Sequence, residues 1–263
     1  MTTLAQAACA VLTAPDPAEK LRLSAEIGED WRAGRISEIG HCPPPDRPAR
    51  PAQPELLPPN RMPKRSYGGV AGRIALMHSL AHIELVAIDL AWDIIARFTH
   101  EDLPKGFYDD WVEVAVEEAE HFRMLDAILR DLGSFYGALP AHDGLWQAAT
   151  KTAHDLRARL AVVPMTLEAR GLDTTPTTIE RLRANGDLES IAPLEVIFRD
   201  EIKHVAAGTR WFDQISRRLG EDPVDAFHRI HRANFPGGLK APFNHEARLL
   251  AGMDRNYYEP LAK

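Results

Sequence analysis

Apolar residues recur three and four positions apart over four long stretches of the chain. One stripe runs Met77, Leu80, Glu84, Ala87, Ile88, Ala91, Ile95, and a second runs Val114, Glu118, His121, Leu125. A third contains Ala161, Met165 and Glu168, and a fourth Ile197, Glu201, His204, Val205 and Gly208. That spacing puts each set on one side of an α-helix. The pattern predicts long helices from about 66–72 to 97–100, over about 108–132 closed by Gly133, over about 144–170, and over about 188–219 closed by Gly220. Strand signals are nearly absent, because no hairpin dipeptide sits between alternating runs. The expected class is all-α, a four-helix bundle with short first-to-second and longer second-to-third connections.

The flanks are patterned differently. Residues 3–12 and 17–33 read as two shorter helices, the second opened by Asp16 as cap and Pro17 in its first turn. Nine prolines then fall between 43 and 63. Such a stretch cannot be helical and should run extended, as an arm across the surface of the bundle or as a linker. Pro164, one turn before Glu168, should kink the third helix, and Thr175-Pro176 should open a separate short helix ending near Gly186. Beyond 221 the pattern predicts helices near 223–233 and 244–253 and an aromatic tail, Tyr257-Tyr258. The expected organisation is 1–65 as N-terminal helices and arm, 66–220 as the bundle, and 221–263 as an extension packed on it.

The polar interruptions of the apolar stripes carry the chemistry. Glu118 and His121, like Glu201 and His204, stand three apart, so each pair aims at one point from a helix face. With 19 Glu and 11 His in the chain, a Glu-x-x-His match is cheap. A third, Glu38–His41, precedes Cys42-Pro43-Pro44-Pro45 and is read as chance. Company distinguishes the other two: Glu84 precedes Glu118 by 34 positions, and Glu168 precedes Glu201 by 33. The order Glu, Glu-x-x-His, Glu, Glu-x-x-His is the donor set of four-helix carboxylate-bridged dimetal proteins. Carboxylates and imidazoles on core-facing stripes are costly to bury unless something compensates them, and metal ions do so. Six donors suit two ions: Glu118 and Glu201 bridging, Glu84 and His121 on one, Glu168 and His204 on the other. Oxygen and imidazole donors favour iron, with manganese the other candidate. Glu117 and Asp200, each four positions before a ligand histidine, are placed to accept its remaining N–H; for Glu117 a solvated helix charge explains the residue as well.

Other polar groups have simpler readings. His78 and His82, with Asp89 and Asp93 further along, are rotated away from Glu84 and read as a polar face or inter-helix hydrogen bonds. Asp225, His228 and His231 read as the surface of a short helix. Arg170 could meet an anionic substrate group or pair with Asp173.

Composition narrows the setting. Apolar residues at 45%, charged residues at 26% and a net charge of −7 are ordinary for a globular chain and argue against a broad phosphate-binding surface. Cys9 and Cys42 lie outside the four predicted long helices and suggest a reducing compartment rather than a disulfide framework. No run of 18 apolar residues occurs, so no membrane span is expected. The N-terminal stretch lacks the basic start of a signal peptide, and the cytoplasm is the expected location.

The wording HSLAHIELVAIDLAWD, EEAEHFRML, LEARGLDTTP and RDEIKHVAAGTRWF resembles a bacterial ferritin-like family of unassigned function, within the ferritin-like diiron carboxylate superfamily. The likeness covers nearly the whole chain, including PFNHEARLLAG. It implies a ferritin-like bundle and ligand roles for Glu84, Glu118, His121, Glu168, Glu201 and His204. An acidic residue before each Glu-x-x-His is similar to diiron oxygenases. At fold level the chain is distantly similar to the diiron hydroxylase of isopentenyl-adenosine in transfer RNA. The expected function is therefore a nonheme diiron oxidoreductase that uses O2 to oxidise or hydroxylate a small molecule or modified nucleotide. An electron-donor protein and a homodimer are the expected partners. A ferroxidase or iron-handling protein, and a metal-binding bundle without turnover, stay open beside it.

Overall fold

The computed structural model describes residues 2–63 and 69–263. The expected start of the first long helix near 66, and the boundary between 65 and 66, lie outside the described residues. The fold is all-α and compatible with a helical bundle: among the described residues there are helices and two isolated bridges, Leu56 with Ala141 and Leu239 with Ala262, but no strand. The chain divides into two compact units, Met1–Trp146 and Gln147–Lys263.

In the first unit, α1 (Leu4–Thr13) begins at a reciprocal cap between Thr3 and Gln6, and α2 (Pro17–Arg32) at Asp16, whose carboxylate accepts from Ala18 N–H. The first α1 amides are met by Glu38 and Ile39 carbonyls at 2.9 Å, so the third Glu-x-x-His match is non-helical, as expected. α3 (Gly69–Arg97) and α4 (Lys105–Asp131) form the long pair, and Gly133 (φ +74°) ends the second. Gly28 lets α2 approach α4 closely, since a Cβ there would stand 2.5 Å from Val116 Cγ2.

The proline-rich stretch is a docked arm. Ala49 N–H donates to Leu12 O at 2.7 Å, Leu57 N–H to Ala141 O at 2.8 Å, and Ala141 N–H to Glu55 O at 2.9 Å. By length and composition α3 could cross a membrane, yet two-thirds of its apolar window is buried inside the protein and it carries ion-paired Asp89 and Asp93. It is a core helix. Cys9 is buried on α1, and burial foremost pushes its thiol up to about 12; its Sγ stands 3.5 Å from Cys42 O, and both thiols are free.

The second unit corrects three expectations. The third long helix is not continuous: α5 (Gly144–Lys151), which spans the boundary between the units, stops at a turn, and Asp155 caps a fresh start at α6 (Leu156–Val162). A π-helical turn, Val163–Glu168, comes next at Pro164, and Thr166 Oγ1 bonds back to Ala161 O at 2.8 Å. The break in the α-helical pattern falls at the proline. α7 (Ala169–Ala184), however, runs straight through Pro176. Proline removes the amide that would bond to Leu172 O, and Asn244 Nδ2 takes that carbonyl instead at 3.2 Å. α8 (Ile191–Arg218) closes at Gly220, and α9 (Pro223–Asn234), α10 (His245–Leu250) and α11 (Arg255–Tyr258) complete the unit. The last turns the expected aromatic tail into a short helix.

Candidate metal centre

In the first unit the stripes of α3 and α4 bring Glu84, Glu118 and His121 together. One ligand atom from each lies within 4.8 Å of the others, and all three side chains are buried. His121 Nδ1 stands 3.4 Å from Glu84 Oε2 and 3.4 Å from Glu118 Oε2. Burial first, then the Glu118 charge, pushes the Glu84 carboxyl well above its usual range. Burial pulls His121 down, but Glu118 and then Glu84 outweigh it and lift the imidazole to about 11. Without a metal this cluster therefore holds protons that a cation would displace. Two buried carboxylates against one imidazole, with Glu84 Oε2 receiving no hydrogen bond, fit a hard or borderline divalent ion.

The second unit repeats half of this arrangement. On α8, Glu201 Oε1 lies 3.7 Å from His204 Nδ1, with the Glu201 side chain 12% exposed and His204 buried. Glu168 ends the π-helical turn and is half-buried. That turn is braced from both sides. Gly208 on α8 accepts Pro164 against its backbone, where a Cβ would come within 2.5 Å of Pro164 Cγ. From α10, Arg248 grips Asp173 through Nε at 2.9 Å and Nη2 at 2.8 Å, and Nη2 reaches Ala169 O at 3.3 Å, one residue past Glu168.

The remaining expected residues have simpler surroundings. Glu117 is half-buried on α4. Asp200 is buried, with Lys203 Nζ at 2.8 Å and Arg199 Nε at 3.5 Å from Oδ1. His78 and His82 are buried hydrogen-bonding groups: His78 Nε2 accepts from Gly137 N–H at 2.9 Å, and His82 Nδ1 meets Tyr136 Oη at 2.9 Å. They pin the crossover after α4. Arg170 pairs with Asp173 at 3.3 Å and donates to Lys240 O at 2.7 Å. His228 bonds Asn256 O at 2.8 Å, whereas His231 is buried rather than on the surface face expected of it. The helix carrying it packs the Phe227 side inward, against Phe212 and Tyr257.

Sequence reasoning passed over a buried ionic network. Lys20 Nζ lies 2.5 Å from Asp89 Oδ1, both side chains being within 1% of full burial. Arg50 stands 3.8 Å from Asp89 and 3.9 Å from Asp143, and Arg47 pairs with Asp143 at 2.7 Å. A signal existed: Lys20 shares the α2 stripe of Ser24, Ile27 and Trp31.

Among solved structures nothing matches the chain. An uncharacterized protein of Haemophilus influenzae is 36% identical over 255 residues, covering 93% of this chain and 88% of the relative. The family described as protein of unknown function (DUF455) matches residues 13–259. On a match spanning nearly its whole length, the chain belongs to the DUF455 family.

Proposed function

We propose that the protein is a nonheme dimetal oxidoreductase of ferritin-like type, most simply diiron, which uses O2 to oxidise or hydroxylate a small molecule or modified nucleotide. The observation that carries this reading is the buried Glu84–Glu118–His121 cluster, in which two carboxylates close on a single imidazole. Glu168, Glu201 and His204 repeat the same donor types at a chain spacing one residue shorter. In the proposal Glu84, Glu118 and His121 would hold one ion, and Glu168, Glu201 and His204 would hold the other. Asp200 and Glu117 orient the two imidazoles. When bound, the metal pair would supply electrons to O2. The chain supplies donors already aligned by helix geometry, a dry setting that excludes water, and carboxyl groups that give up protons as cations enter. An electron donor and a cytoplasmic location belong to the same proposal.

Metal analysis tests it. Protein prepared under reducing, iron-replete conditions should hold about two metal ions per chain, the stoichiometry of this donor set. Glu118→Ala and Glu201→Ala should each cut that occupancy severalfold while helical circular dichroism is kept. Metal-free wild-type protein from such a preparation would end the reading. A full complement of iron inside a large multi-chain shell would redirect it to iron storage.

A further inference from the structure

His231 on α9 is 1% exposed, and neither of its ring nitrogens has a hydrogen-bond partner. Its ring lies between those of Phe227 and Phe235, with centroids 5.7 and 5.4 Å away. Burial foremost, then His228 and Arg232, hold its pKa down at about 4. At neutral pH it is therefore uncharged, with one N–H to donate and one nitrogen to accept. A buried polar group left unmatched costs free energy, and a native fold that retains one calls for an explanation.

The surroundings supply one. His231 forms part of the wall of a groove of about 340 Å³, with Arg232, Phe235, Pro236, Leu261 and Lys263. That volume falls within the roughly 300–1,000 Å³ of small-molecule sites. No acidic side chain lines the groove, although the chain carries a net charge of −7. Arg232 is exposed and makes no ion pair among the described residues, and Lys263 Nζ donates only to a carbonyl, Pro236 O, at 3.1 Å. One exposed guanidinium, that of Arg232, thus stands at a cleft whose other walls are an aromatic ring, prolines and a leucine.

We infer that this groove is a binding site for a small organic monocarboxylate with a flat apolar body. The carboxylate meets Arg232, the apolar body lies along Phe235 and the prolines, and His231 N–H donates to a carboxylate oxygen. Arg232 is exposed and long, so its guanidinium can swing toward the ligand without moving backbone. The site lies wholly in the second unit and does not depend on the metal reading.

Benzoate is the probe, titrated into the full chain while the histidine ring signals are followed by NMR, with His231→Gln assigning the resonance. Benzoate should shift the His231 signals saturably, and Arg232→Ala should weaken it at least tenfold. Inorganic phosphate should compete at least tenfold less well than benzoate. Because Arg232 is exposed, Arg232→Ala decides the matter even where His231→Gln fails to fold. A shift that never saturates, or benzoate affinity unchanged in Arg232→Ala, would overturn the site. Phosphate binding as tightly as benzoate would overturn the carboxylate assignment.

Discussion

Two stretches of one helix handle buried charge in opposite ways. On α3, Asp89 and Asp93 are matched by cations of the chain itself: Lys20 at 2.5 Å and Arg50 at 3.8 Å for the first, Arg97 at 2.6 Å for the second. One turn earlier Glu84 is also buried, but it faces a second carboxylate, Glu118, and an imidazole wedged between them. A buried ion pair can offset its own desolvation. Two buried carboxylates side by side cannot, and must take up protons or a metal. The first stretch is a staple that holds α2 and the arm onto α3, and the second is a cluster that could hold a cation.

The largest effect that should break this comparison is loss of one staple partner. Lys20→Met leaves the Asp89 charge short of its nearest cation and should lower stability by about 3–5 kcal/mol in chemical denaturation. Lys20→Met combined with Asp89→Leu should recover most of that; no recovery would mean that Lys20 acts by shape alone.

A smaller effect concerns His231, the imidazole with no charge partner. Its folded pKa of about 4 lies below the unfolded 6.5, so the unfolded chain binds the proton first as pH falls. Its contribution is full above about pH 6.5 and is lost toward pH 4, at about 1.4 kcal/mol per pH unit. His231→Gln should flatten thermal stability across that window, and an unchanged slope would show that the ring is protonated when folded.

The smallest effect is a near-cancellation. In metal-free protein Glu118→Gln removes like-charge repulsion from Glu84 but also the carboxylate that does most to hold the His121 proton, so stability should shift by no more than on the order of 1 kcal/mol, the scale of one pKa unit. Loss of several kcal/mol in calorimetry of the metal-free variant would place Glu118 in a staple like that of Asp89.

Legibility in the sequence tracked the range of the interaction. Helix starts at Asp16-Pro17 and stops at Gly133 and Gly220 were readable, because caps act within a turn of the residue that makes them. Glu84, Glu118 and His121 were readable as a donor set, because helical spacing alone places each on a core-facing stripe. The uninterrupted α7 was not, because Asn244, which takes over the Leu172 carbonyl orphaned by Pro176, lies far along the chain. Nor was the pairing of Lys20 with Asp89, 69 positions apart. The burial of His231 did have a local sign that was passed over: it follows Ile230 and stands four positions after Phe227, on the buried face of its helix.

By itself, then, the amino-acid order determined the helical class, most helix ends and the identity of the candidate metal donors, since these depend on neighbours within a turn or two. Only the tertiary structure decided which buried carboxylates are met by a lysine or arginine and which are set against one another. Charge compensation is a property of distance in space, and the partners that supply it come from segments no local pattern connects.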